Sequence, residues 1–280
     1  ITMLITFNIN GFIFVYLPTF IMIFLKVKLR LSKYVIWITL LSYYLFSDPK
    51  ITFLTFFITI FLFERSKKRN KDFLYHRNQI KKVKLLSKIQ LTHDTWELTF
   101  SYPENKKFGL KLGEHIIIYS DNPNIKNKWN NKYDFEDEKI IKRQYTPIKI
   151  NDGKFILAIK EYKKNKEYPD GGKVSQKITN LNIGEEIKIA GPFGYNTYLG
   201  NGNFLVNDKL INNKNIFMIC AGTGITAMYS ILNNILENDN DLTSIKMINV
   251  NKTFSDIMLK DKLDNLISIY KKQFKIYYFL

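Results

Sequence analysis

Hydrophobic and polar positions divide this chain into two unlike parts. Ile1–Leu25 carries no charge, Lys26-Val-Lys-Leu-Arg30 closes it, and two further apolar runs follow, Tyr34–Ser47 and Ile51–Phe63, parted by Asp48-Pro49-Lys50. The first run is long enough to cross the roughly 30 Å hydrocarbon core of a bilayer, whereas the later two are short for independent spans. One span plus a hairpin, or plus a second span, is the expectation for residues 1–78. Basic clusters at Lys26 and within Glu64–Lys71 place both flanks on the cytoplasmic side. A cleaved signal peptide fits poorly, because apolar sequence continues with no small-residue cleavage site. Further on, the runs shorten. Phe155–Tyr162 reads as a strand, Asn215–Cys220 as a buried parallel strand, and Ile225–Glu237 as a helix with Met228, Ile231, Leu232 and Leu236 at helical spacing. Ser244–Val250 reads as a strand, Ser255–Lys271 as a helix and Phe274–Leu280 as another strand.

Three short segments in this second part carry chemistry. Arg143-Gln144-Tyr145-Thr146-Pro147 puts a guanidinium and an aromatic ring on one face of an extended backbone, with Gln144 and Thr146 on the other. A guanidinium can bind phosphate through paired hydrogen bonds, and a tyrosine ring can lie against a planar heterocycle. Taken alone, the pentapeptide reads better as a strand with an ion-paired Arg and a packed Tyr. Only Arg143, of five arginines among 42 basic residues, lies beyond residue 77. Gly171-Gly172-Lys173-Val174-Ser175 offers a glycine turn that feeds amides into a short helix, a place for a phosphate or simply a turn. Ala221-Gly222-Thr223-Gly224-Ile225-Thr226 is a glycine turn between strand and helix; it lacks the third glycine of the dinucleotide fingerprint.

The order and separation of these segments resemble NADH-cytochrome b5 reductase, a family within the ferredoxin-NADP reductase superfamily. The resemblance covers roughly residues 79 to 280. It rests on Arg143–Pro147, Leu157-Ala-Ile-Lys-Glu-Tyr162, Gly171–Gln176, Gly191-Pro-Phe-Gly194 and Met218–Met228, continued by Asn251–Ile257. The resemblance implies an α+β multidomain chain: N-terminal membrane helices (1–78), an antiparallel FAD-binding β-barrel (79–195), a linker (196–214) and part of a Rossmann-like NAD(H)-binding α/β domain (215–280). Carried over by position, Arg143 would hold the FAD pyrophosphate, Tyr145 would pack on the isoalloxazine and Thr146 would hydrogen-bond near its reactive nitrogen; Tyr145 and Thr146 are the catalytic pair. Gln144 would contribute mainly backbone. Ala158 and Lys160 would line the flavin or its ribityl-phosphate chain, and Lys173, Val174 and Ser175 would serve the phosphates. Gly222, Thr223 and Gly224 would lie beside the nicotinamide nucleotide, with Thr226 close to the flavin.

The implied activity passes electrons from NADH through FAD to an acidic haem protein such as cytochrome b5, at the cytoplasmic face of the endoplasmic reticulum or mitochondrial outer membrane. The family continues past the position of Leu280 to a cysteine-glycine-proline motif, so the resemblance also implies a C-terminally incomplete chain. The alternative is a truncated, non-catalytic FAD-binding membrane protein without nicotinamide turnover.

Composition narrows the field. The net charge is +17, but lysines are spread throughout, so the charge suits anionic headgroups or an acidic protein rather than nucleic acid. A single cysteine, Cys220, cannot hold an iron-sulfur cluster or structural zinc, and none of the three histidines (76, 93 and 115) lies in the apolar runs to ligate a transmembrane haem. No metal site is expected. Cys220 and His115 read as packed residues, and Asp121–Lys139 as a solvated insertion between barrel strands.

Overall fold

The computed structural model describes residues 41, 54–55, 57–61, 72–123, 128–130, 132–133 and 139–280. The chain forms two compact units, Ile1–Lys71 and Asp72–Leu280. The expected membrane segments lie almost wholly outside the described residues; among those described, no helix is long and apolar enough to cross a membrane.

The second unit begins with a seven-stranded antiparallel sheet. Its strands are β1 (Lys81–Gln90), β2 (Thr95–Ser101), β3 (His115–Asp121), β6 (Ile140–Tyr145), β7 (Lys149–Asn151), β8 (Lys154–Lys160) and β9 (Glu186–Phe193). Their order is β6-β3-β9-β1-β2-β8-β7. The two edge strands, β6 and β7, are consecutive in sequence and joined by residues 146–148. So short a link spans only about 10 Å when extended, so the sheet must curl until its edges meet. The interior is filled by alternate residues of paired strands. Leu85 faces Phe100, Phe100 faces Phe155 and Leu98 faces Leu157, all fully buried. Phe100 and Phe155 stack at 5.4 Å. A short hairpin, β4 (Lys128–Trp129) with β5 (Lys132–Tyr133), rises from the segment between β3 and β6. Helix α1 (Ser175–Thr179) precedes β9.

The segment expected as a linker is instead a three-stranded antiparallel sheet of β10 (Asn196–Gly200), β11 (Asn203–Val206) and β12 (Lys209–Asn212). Its turns are set by residues that tolerate positive φ, among them Asn201, Gly202, Asn207 and Asp208. Tyr198 anchors it, donating from its hydroxyl to Asp241 at 2.5 Å.

A parallel sheet follows, ordered β13 (Asn215–Ala221), β14 (Ser244–Val250) and β15 (Phe274–Phe279), with crossover helices α2 (Ile225–Leu236) and α3 (Lys260–Ile269). Met218, Cys220, Ile245, Met247 and Phe274 of the sheet share a buried cluster with Ile225, Leu232, Ile235, Leu263 and Leu266 of the helices. The helix expected over Ser255–Lys271 starts later, at Lys260. Before it, Leu259 takes a left-handed φ of 60°, and Ile257, Met258 and Leu259 are buried, so packing overrides helical continuation. Cys220 is buried as expected; burial pushes its thiol up to about 11, so it is an inert core residue. His115 stacks on Phe193 at 6.1 Å, and burial lowers its pKa.

Candidate functional site

Strand β6 pairs with β3 so that Arg143 stands opposite Ile118 and Tyr145 opposite Ile116. Arg143 and Tyr145 therefore share the face of two buried isoleucines, and Gln144 points the other way and is exposed. Arg143 Nη1 donates to the Lys142 carbonyl at 2.9 Å, which helps to set the guanidinium. Tyr145 packs against the barrel core, and burial pushes its hydroxyl up to about 12, with Arg143 pulling slightly the other way. It stays a neutral phenol across the physiological range. Thr146 is half-buried where the chain leaves β6.

The glycine turn lies against this strand. Arg143, Tyr145, Tyr162, Gly171, Gly172, Lys173, Val174 and Ser175, with Trp129 and Asn130, line a cavity of about 320 Å³. Gly171 has φ of +67°, and a Cβ there would lie 2.6 Å from the Tyr162 carbonyl oxygen. A Cβ on Gly172 would collide with Ser175 Oγ. Both glycines are thus required by backbone shape and close approach. The Ser175 hydroxyl accepts from the Tyr162 amide at 3.2 Å, and the Gly172 amide donates to the Tyr162 carbonyl at 2.8 Å, tying the turn to the end of β8. Lys173 is buried, its ammonium 5.4 Å from the centre of the Trp129 ring. The cavity thus holds two basic side chains, two tyrosine rings and a turn narrowed to glycine. This combination fits a phosphate-bearing aromatic cofactor.

The third segment sits at the C-terminal end of β13, where ligands bind in open parallel sheets. Gly222 (φ +49°) opens a 3-10 turn over Gly222–Gly224 that runs into α2, and a Cβ on Gly222 would meet nothing within 4 Å. Ala221, Thr223 and Gly224 are exposed, so this turn has room above it. Thr226 Oγ1 donates back to the Thr223 carbonyl at 3.1 Å. Two predicted residues, Ala158 and Lys160, do not line the cavity at Arg143. Ala158 is buried in the cluster that includes Ile148, Tyr198 and Met218. Lys160 Nζ sits 3.0 Å from Asp94 Oδ2 and 2.9 Å from Asp256 Oδ1, bridging the antiparallel sheet to the turn after β14. Lys262 and Glu97 (3.0 Å), and Lys149 and Glu237 (3.1 Å), make two further bridges between the same halves.

Comparison with known proteins gives the same division. Residues 82–198 match the family model "Oxidoreductase FAD-binding domain", and residues 218–280 match "Oxidoreductase NAD-binding domain". A crystal structure of the cytochrome b5 reductase domain of Ulva prolifera nitrate reductase is 31% identical, with TM-score 0.65, over 74% of this chain and 75% of that one. The chain belongs to the cytochrome b5 reductase-like family of the ferredoxin-NADP reductase superfamily. It is an oxidoreductase with FAD and NAD(H) as its cofactors. NADH nitrate reductases of Lotus japonicus (over 215 residues) and Spinacia oleracea (over 200 residues) are each 34% identical. The chain spans about a fifth of those proteins, 22% and 20% of their lengths. The CS-b5R domains of human Ncb5or share the fold, with TM-score 0.53 at 22% identity.

Three cavity residues were not expected from the sequence. Tyr162 ends the Leu157–Tyr162 motif and lines the cavity beside the turn that its backbone anchors. Trp129 and Asn130 fall within the segment expected to be a solvated insertion, yet both line the cavity. A tryptophan amid Asn and Lys is the signal that could have found them, because an indole in such a stretch needs a surface to cover.

Proposed function

We propose that this chain is a membrane-anchored reductase that passes electrons from NADH, through FAD, to an acidic haem protein of the cytochrome b5 type. The observation that carries this reading is the single cavity in which Arg143 and Tyr145 of β6 meet Gly171–Ser175. Arg143 and Lys173 would neutralise the pyrophosphate, and the turn would admit it closely because neither glycine has a side chain. Tyr145 would hold the flavin ring by its face, and Thr146 would hydrogen-bond near the reactive nitrogen. The open turn at Gly222–Gly224 would receive the nicotinamide nucleotide. FAD supplies the acceptance of a hydride and its release as single electrons; the side chains bind and orient. Lys160, Lys262 and Lys149 would hold the nicotinamide half at a fixed angle to the flavin half.

The haem partner and the membrane rest on charge and on the N-terminal pattern. A net charge of +17 favours encounter with an acidic protein and with the anionic cytoplasmic leaflet. Attachment at the cytoplasmic face of the endoplasmic reticulum or outer mitochondrial membrane would come from Ile1–Leu25 and the runs after it. The FAD-loaded chain in vesicles, mixed with NADH and soluble cytochrome b5, is expected to reduce the haem, with a rate that falls as salt rises. Absence of haem reduction while ferricyanide is still reduced would refute the proposed partner.

A second reading, FAD binding without nicotinamide turnover, draws on the face of the β13-β14-β15 sheet on which, among the described residues, Phe217, Ile219, Tyr277 and Phe279 are exposed.

A further inference from the structure

We propose that the tip of the β4-β5 hairpin, Trp129 and Asn130, is part of the flavin site and acts as a latch that pre-forms the Gly171–Ser175 turn. The proposal rests on the reading of that cavity as the FAD pyrophosphate site.

Asn130 stands at φ +53°, a left-handed conformation that asparagine tolerates better than most residues. From there its carboxamide reaches a turn about 40 residues away in sequence. Oδ1 accepts from the amides of Asp170 (2.8 Å) and Gly171 (3.0 Å), and Nδ2 donates to the Gly171 carbonyl at 3.1 Å. The Asn130 backbone amide donates to Asp170 Oδ2 at 2.6 Å, and Trp129 Nε1 donates to the Gly171 carbonyl at 2.6 Å. Two adjacent residues thus fix the position of Gly171 from both its amide and its carbonyl side.

Adjacent glycines have wide backbone freedom, so without these bonds Gly171 would keep more of that freedom until ligand arrived, even with Gly172 tied to Tyr162. Ordering it beforehand removes that entropic loss from the binding step. The indole adds a second effect. Its ring lies 5.4 Å from the Lys173 ammonium, an attraction that keeps the positive charge at the cavity wall where a phosphate would meet it. Trp129 and Asn130 both line the cavity, so the latch is also part of its wall.

The test uses the full chain stripped of flavin and titrated with FAD. Asn130→Gly removes the carboxamide and keeps the left-handed backbone available; Asn130→Asp keeps the acceptor and removes the donor to Gly171. The expected result is an FAD Kd raised about tenfold by Asn130→Gly and less by Asn130→Asp, with the melting temperature of the flavin-free protein unchanged. Trp129→Phe is expected to fall between them, since it keeps a ring and loses the bond to Gly171. An Asn130→Gly Kd indistinguishable from wild type, or an affinity loss matched by an equal loss of flavin-free stability, would overturn the latch. Arg143→Ala run in parallel separates the two ideas. Normal FAD affinity in that variant would overturn the site reading itself, whereas weak binding there with normal binding in Asn130→Gly would overturn the latch alone.

Discussion

The two cofactor-binding halves of Asp72–Leu280 bury their sheets differently. In the antiparallel half, β6 and β7 are drawn together by residues 146–148, and Phe100, Phe155, Leu85, Leu98, Ile116 and Ile118 fill a closed interior. In the parallel half, α2 and α3 cover one face, with Met218, Met247 and Phe274 beneath them, while Phe217 (56% exposed), Ile219 (63%), Tyr277 (51%) and Phe279 (54%) line the other. The register makes that second face continuous, because Ile219 pairs with Ile248, and Ile248 with Tyr277. Parallel sheets are usually covered on both faces. Among the described residues, the cavity at Arg143 and Gly171–Ser175 therefore rests on a closed core, and the turn at Gly222–Gly224 rests on a sheet that α2 and α3 cover on one face. Flavin binding should depend on a few polar contacts set by a rigid frame. Nicotinamide binding should depend more on how the two halves are held together.

Mutations can break this contrast. The largest expected effect is on the flavin. Arg143→Ala removes a charge-assisted phosphate contact of about 1.5 to 3 kcal/mol, so flavin retained per protein after gel filtration should fall steeply. Unchanged flavin absorbance would remove Arg143 from the site. Next, Gly171→Ala forces a Cβ into the Tyr162 carbonyl at positive φ. It should lower stability by about 1 to 3 kcal/mol in chemical unfolding, and reduce flavin content with it. A variant as stable as wild type would show that the turn adapts more freely than a closed frame allows.

Lys160→Ala should have a smaller effect, about 1 kcal/mol, seen mainly at neutral pH. Burial pulls the Lys160 ammonium pKa down, but hydrogen bonds to Asp256 and Asp94 outweigh it and leave it raised. The same bond to Lys160, with one from Thr253, holds the Asp256 carboxyl below its usual range. A raised lysine contributes fully below its ordinary pKa and loses that contribution as pH rises through the raised value. A lowered aspartate contributes above its ordinary pKa and loses that contribution as pH falls through the lowered value. The urea midpoints of wild type and Lys160→Ala should accordingly differ at neutral pH and converge in acid. A constant gap across pH would mean the bridge does not join the halves. The smallest effect belongs to the bare face: Phe217→Ser should change stability by less than about 0.5 kcal/mol. A loss of several times that would show Phe217 to be packed after all, and would erase the contrast.

Much of this organisation is written in local sequence. Asn215–Ala221 and Ser244–Val250 are apolar enough to announce buried parallel strands, and α2 ends within one residue of its expected boundary because its apolar spacing is strong. That Arg143, Tyr145 and the Gly171–Ser175 turn would meet in one cavity was legible from their residue types and their order along the chain. What was not legible depended on contacts distant in sequence. The sequence between 196 and 214 is polar and reads as a linker, yet it folds into a meander pinned by Tyr198 and Asp241. Lys160 is held between Asp94 and Asp256, a pairing no local pattern announces. Trp129 and Asn130 look like part of a solvated loop until the turn they grip, some 40 residues on, is brought beside them.

The most direct test of a flavin reduced by nicotinamide across these two halves is anaerobic addition of NADH to the FAD-loaded chain, followed by flavin absorbance. Loss of the oxidised flavin band in wild type is expected, with marked slowing in Gly222→Val, where a side chain would enter the open space over the turn. A yellow protein whose absorbance NADH leaves unchanged would contradict the account.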